Sequence, residues 1–60
     1  MNKSEARERA ERLGYYIEQD LTQDDAWITR DLYTRTRVAS KYKSFDQVTK
    51  WIEREEKRKA

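Results

Sequence analysis

Apolar and polar residues recur along the chain with two different periods, one typical of helices and one typical of strands. In residues 44–55 the apolar positions have helical spacing, at Phe45, Val48, Trp51 and Ile52. Ser44 precedes them and Gln47 follows it by three residues, a capping box in which two backbone N–H groups at a helix start gain side-chain acceptors. We therefore predict a helix over residues 44–55 whose apolar side packs on a sheet.

A second helical pattern occupies residues 2–13. Its apolar side consists of three residues at i, i+4 and i+7, Ala6, Ala10 and Leu13. Gly14, the only glycine, follows where a left-handed C-cap residue is common. Two helix starts stay open, because Asn2 and Ser4 both offer a capping side chain.

Between these helices the period changes to that of strands. Three segments have strand composition or alternation, at residues 15–20, 27–32 and 35–43. The predicted order is therefore α-β-β-β-α, a three-stranded antiparallel meander with both helices packed on one face. Residues 1–60 are predicted to form one small α+β domain.

The third predicted strand alternates clearly. One side carries the residues predicted to face the helices, Thr36, Val38, Ser40 and Tyr42. The other side carries four cations, Arg35, Arg37, Lys41 and Lys43. The facing of the second strand stays open, since either Trp27 or Ile28 can point inward.

Composition narrows the possible functions. The chain has no Cys and no His, which removes disulfides, thiolate metal sites and the commonest general base. Four aspartates, Asp20, Asp24, Asp25 and Asp31, match no calcium-binding loop and suit turns instead. A chain this short buries only about 60% of its surface, so a deep substrate pocket is not expected. We predict a binding module with no enzymatic activity, no metal, no cofactor and no small-molecule substrate.

The chain shows no membrane signal. No apolar run approaches the ~20 residues that span a bilayer, and no signal-sequence pattern opens the chain. We therefore expect a cytoplasmic protein without a membrane partner.

Positive charge is concentrated in the middle of the chain, although the net charge is only +2. Residues 27–45 carry five cations and a single acidic residue, Asp31. Cations interleaved with aromatic residues can neutralise phosphates and stack on bases. The predicted nucleic-acid-binding residues are Arg30, Arg35, Arg37, Lys41, Lys43 and Trp27.

Two alternatives to nucleic-acid binding remain. The same cations can belong to an ordinary solvated sheet face, matched by carboxylates on neighbouring strands. Alternatively, the chain can bind a protein partner or form a homodimer, through exposed Trp27, Tyr16 and Tyr33 or through a strand edge.

A family resemblance favours nucleic acid. The run K-Y-K-S-F-D-Q-V-T-K-W-I-E-R at residues 41–54, preceded by W-I-T-R-D at residues 27–31, resembles the end of the arm-binding, AP2-like DNA-binding domain of tyrosine recombinases. In that family three strands lead into a helix that begins near a phenylalanine and carries a Trp-Leu/Ile pair. The resemblance covers about the last 34 positions. It implies DNA binding through the sheet face, with Trp27, Arg35, Arg37 and Lys41 at the DNA.

Overall fold

The chain folds as two helices and one β-hairpin. The structure, a computed structural model, describes residues 1–39 and 42–59. The elements are α1 (Lys3–Arg12), β1 (Tyr15–Asp20), β2 (Ala26–Asp31) and α2 (Phe45–Lys59). β1 and β2 pair antiparallel, with Ile17 opposite Thr29. The architecture is therefore a small α+β fold of order α-β-β-α.

The predicted three-stranded meander is wrong. In the described part of residues 35–43, hereafter the flanking segment, two isolated antiparallel bridges join β2: Arg30 with Arg37 and Trp27 with Lys43. Six positions separate the bridged residues on the flanking segment, whereas three separate their partners on β2. A regular ladder needs equal numbers on both strands, so pairing cannot continue from one bridge to the other.

The predicted inward side of the flanking segment is wrong for the same reason. Val38 is 44% exposed and Tyr42 is 43% exposed, so neither lies under the helices. Thr36 is exposed as well, and Ser40 lies outside the described residues.

One apolar core lies between the hairpin and the two helices. Its buried members come from all four elements and are Ala6, Ala10, Ile17, Trp27, Val48 and Ile52. Trp27 is 1% exposed and is the largest fully buried side chain, so β2 turns Trp27 toward the helices and Ile28 away from them. Phe45 and Trp51 pack partly buried against this core, which confirms the predicted apolar side of α2.

The start of α2 is held by three side chains. Ser44 Oγ accepts a bond from the Gln47 N–H at 3.2 Å, and Gln47 Oε1 accepts one from the Ser44 N–H at 3.0 Å. The predicted capping box is therefore confirmed. In addition, Asp25 Oδ1 accepts a bond from the Phe45 N–H at 2.9 Å, which ties the turn of the hairpin to the same helix start.

The ends of α1 follow the sequence signals. Asn2 is the N-cap, because its side chain accepts a bond from the Glu5 N–H at 2.8 Å. Gly14 has φ of 86° just beyond the helix, the left-handed conformation that glycine adopts without steric cost.

Polar contacts join the C-terminal half of α2 to α1 and β1. Arg9 donates two bonds to the Glu56 carboxylate, one of them from Nε to Oε2 at 2.8 Å. The Tyr15 hydroxyl donates to Glu55 Oε1 at 2.7 Å. The Arg9 guanidinium lowers the pKa of Glu56, and the Tyr15 hydrogen bond lowers the pKa of Glu55. These contacts set the position of α2 along the hairpin.

Truncating Trp27 to alanine tests the core. The indole is fully buried, so its loss is expected to lower the free energy of unfolding by about 3 to 5 kcal/mol, enough to unfold a domain of this size. Tyr33→Ala is the matched control, since Tyr33 is 82% exposed and its loss should change stability by less than about 0.5 kcal/mol. Urea denaturation followed by circular dichroism measures both. A Trp27→Ala variant with the melting behaviour of the parent would show that Trp27 lies at the surface.

Thr29 gives a second test of the core, in which a substitution should raise stability, because its polar hydroxyl is buried beside the core. Thr29 is 1% exposed, and its hydroxyl has no hydrogen-bond partner among the residues that the structure describes. Replacing the hydroxyl with a methyl group of similar shape removes this cost, so Thr29→Val should raise the free energy of unfolding by about 1 kcal/mol. Thr29→Ser keeps the hydroxyl and loses the methyl group, and it should destabilise. If Thr29→Val is the less stable variant, the hydroxyl has a partner.

Candidate nucleic-acid interface

The predicted binding residues do not share one surface. Residues that pair across an antiparallel bridge project to the same side of the sheet. Trp27 points toward the helices and pairs with Lys43, whereas Arg30 belongs to the other side and pairs with Arg37. Lys43 therefore lies on the helix side of the sheet, and Arg37 lies on the outer side.

The interrupted register explains this separation. Arg37 and Lys43 are six positions apart, an even number, so a regular strand would place both side chains on one face. The bridged residues are six positions apart on the flanking segment and three apart on β2, a difference of three. Because this difference is odd, Lys43 points to the face opposite Arg37. Lys41 falls within this interval and lies outside the described residues.

Trp27 is a core residue in this structure. Its ring centroid lies 5.3 Å from that of Phe45, and two cations of α1, Lys3 and Arg7, lie over the indole at 5.9 and 6.0 Å. A side chain that is 1% exposed cannot stack on a base unless the core opens. Trp27 is therefore a core side chain and is not available to contact a ligand.

On the outer side, the predicted arginines are held by neighbours within the chain. Arg30 contacts Glu18 at 3.1 Å and donates from Nη1 to the Arg35 carbonyl at 2.8 Å. The Arg35 guanidinium lies 4.6 Å from the centroid of the Tyr16 ring, and Arg37 lies 5.1 Å from that of Tyr42. At an exposed site each of these ring contacts contributes about 0.5 to 1 kcal/mol.

On the helix side of the sheet, a groove of about 310 Å³ runs beside α2. Its lining residues are Lys43, Gln47, Lys50 and Arg54. Three of these side chains are cationic and none is a carboxylate. The groove is therefore an anion-attracting concavity on a chain whose net charge is only +2.

Two structural features bring the groove residues together. Gln47, Lys50 and Arg54 have the spacing i, i+3 and i+7, which aligns them along one side of α2. Lys43 is held by its main chain, which donates to the Trp27 carbonyl at 3.0 Å and accepts from the Trp27 N–H at 2.7 Å. The groove thus depends on the same bridge that ends the flanking segment.

The groove lies on the free side of α2. Glu56, which binds Arg9 of α1, stands nine residues after Gln47, and about 100° per residue places it roughly 180° around the helix axis. Contacts with α1 therefore leave the lining side chains uncovered, and Lys50 and Arg54 are both exposed.

The cations of the groove have few competing partners. Lys50 contacts Asp46 at 3.1 Å, but both side chains are largely exposed, and such pairs contribute at most about 1 kcal/mol. Lys43 and Arg54 have no carboxylate partner among residues 1–39 and 42–59. A bound anion can therefore contact these three cations without breaking a strong internal ion pair.

Sequence reasoning found Lys43 but missed Gln47, Lys50 and Arg54. Their signal was present as a second periodic pattern on α2, beside the apolar one. The prediction considered positive charge only within residues 27–45, and these three residues follow that range.

The aspartates stabilise turns, as predicted for Asp20 and Asp31. Asp20 accepts bonds from the Thr22 hydroxyl at 2.6 Å and N–H at 2.9 Å, and the hydroxyl is the largest cause of its lowered pKa. Asp31 accepts bonds from the N–H groups of Thr34 and Tyr33. Both bonds lower the pKa of Asp31, and the bond from Thr34 has the larger effect. Among the described residues, no group of three or more acidic side chains could hold a metal ion.

Comparison with known proteins assigns the chain to no family. No family model, curated protein or solved structure matches the chain. The resemblance to recombinase arm-binding domains therefore stays a prediction from the residues that carry it. In the described part of the chain, no helix has both the length and the apolar character needed to cross a membrane.

Proposed function

We propose that this chain binds nucleic acid and that the groove beside α2 is the binding surface. The observation that carries the proposal is the convergence of Lys43, Lys50 and Arg54 on one concavity whose lining includes no carboxylate. Phosphates attract such a cluster because each contact releases condensed counterions, a gain that is largest at low salt.

The distribution of charge within the chain supports this location. Elsewhere several arginines contact carboxylates, as Arg9 does with Glu56 and Arg30 does with Glu18. In the groove, Lys43 and Arg54 have no carboxylate partner among the described residues. A phosphate backbone can therefore contact Lys43 and Arg54 without displacing an internal carboxylate.

A protein partner is the second candidate, favoured by exposed apolar side chains. Leu21 is 86% exposed and Tyr33 is 82% exposed. Leu21 follows β1 and Tyr33 follows β2, so the two lie at opposite ends of the hairpin and do not form one patch. Salt separates the candidates, because an apolar interface is far less salt-dependent than phosphate contacts.

The double variant Lys50→Gln, Arg54→Gln tests the proposal. A charge pair about 4 Å apart in water contributes about 1 kcal/mol, so the loss of two phosphate contacts should weaken binding at low salt roughly thirtyfold. Fluorescence anisotropy with labelled oligonucleotides measures the affinity. Both side chains are exposed, so circular dichroism should show an unchanged fold.

The matched control is Arg12→Gln with Arg35→Gln, which removes the same charge from exposed positions on α1 and on the outer side of the sheet. This variant should keep nearly the parental affinity, because its cations lie away from the groove. Equal loss in both double variants would mean that net charge alone attracts the ligand. No binding by the parent protein at low salt would overturn the proposal and leave the protein-partner candidate.

A further inference from the structure

We infer that the ligand of the groove is the sugar–phosphate backbone of a nucleic-acid duplex, bound without regard to base sequence. The inference rests on the proposed function and makes it specific. Three features support the inference: the residue types that line the groove, the line of cations along α2, and the hydrogen bond that occupies the one amide side chain of the lining.

The groove offers no platform for unpaired bases. Proteins that bind single strands stack successive bases on aromatic side chains. None of the four lining residues is aromatic. Trp51, the one tryptophan of α2, packs on Tyr15 with ring centroids 4.8 Å apart. The tyrosines that contact Arg35 and Arg37 are not among the lining residues and lie with these arginines on the outer side of the sheet.

The cations of α2 form a rigid line that matches a rigid polyanion. Lys50 and Arg54 of the groove and Lys57 beyond it are exposed and have the spacing i, i+4 and i+7, so at about 1.5 Å per residue they extend over roughly 10 Å. A duplex presents about one phosphate charge per 1.7 Å of its axis in a fixed geometry. A single strand must be ordered before it can match the same line, which weakens its binding.

The groove has few kinds of side chain that read bases. Gln47 is the one amide side chain among the lining residues. Recognition of adenine by glutamine uses the amide oxygen and nitrogen together. The oxygen of Gln47 already accepts the Ser44 N–H bond of the helix cap at 3.0 Å. The remaining lining side chains are cations, which contact phosphate beside any base pair, and guanine is the one base that offers them paired acceptors.

The test compares two labelled duplexes of unrelated sequence with a single strand of the same length, each titrated at several salt concentrations. Both duplexes should bind with affinities within about threefold of each other, since specific sites usually lose tenfold or more with altered sequence. The single strand should bind more weakly. Three phosphate contacts predict a slope of log affinity against log salt of about −2.7 on duplex, and Arg54→Gln should reduce its magnitude by about 0.9.

Each outcome decides the inference. Tighter binding of the single strand, or a preference of tenfold or more for one duplex, would overturn it while leaving nucleic-acid binding in place. A slope that Arg54→Gln does not change would also overturn it, because the contact would lie elsewhere. No binding to any of the three probes at low salt would remove the proposed function and this inference together.

Discussion

The bridge between Trp27 and Lys43 is the contact on which the rest of the structure depends. The side chain of Trp27 fills the core, and its main chain exchanges two hydrogen bonds with Lys43. Lys43 stands immediately before Ser44, which caps α2, so the bridge also places the start of that helix. Asp25 strengthens the same junction through its bond to the Phe45 N–H. The largest buried side chain and the groove are therefore positioned by one pair of residues.

This junction determines how positive charge is distributed. Had the flanking segment continued as a regular strand, its cations would have shared the outer face of the sheet. The three additional positions between its bridges place Lys43 on the helix side, next to Lys50 and Arg54. Arg35 and Arg37 remain outside, each lying over a tyrosine ring. A chain with a small net charge thereby gains a concentrated basic groove on one side.

The sequence predicted what depends on nearby residues. The capping box of Ser44 and Gln47, the apolar side of α2 and the glycine after α1 are all local patterns, and the structure contains each of them. The prediction of a third strand was wrong because the register of a strand depends on its partner strand and not on its own sequence alone. Alternation in residues 35–43 is genuine in the sequence, but pairing also depends on how many positions β2 places opposite them. The positive φ of Arg35 could not be foreseen either, since non-glycine residues rarely adopt it.

The proposed ligand site is the groove beside α2 and not the outer side of the sheet. Amide chemical-shift mapping tests it most directly, with ¹⁵N-labelled protein titrated with an unlabelled duplex at low salt. If the groove binds the duplex, the largest shifts are expected at the amides of Lys43, Gln47, Lys50 and Arg54. Shifts concentrated instead on Tyr16, Arg35 and Arg37 would contradict it.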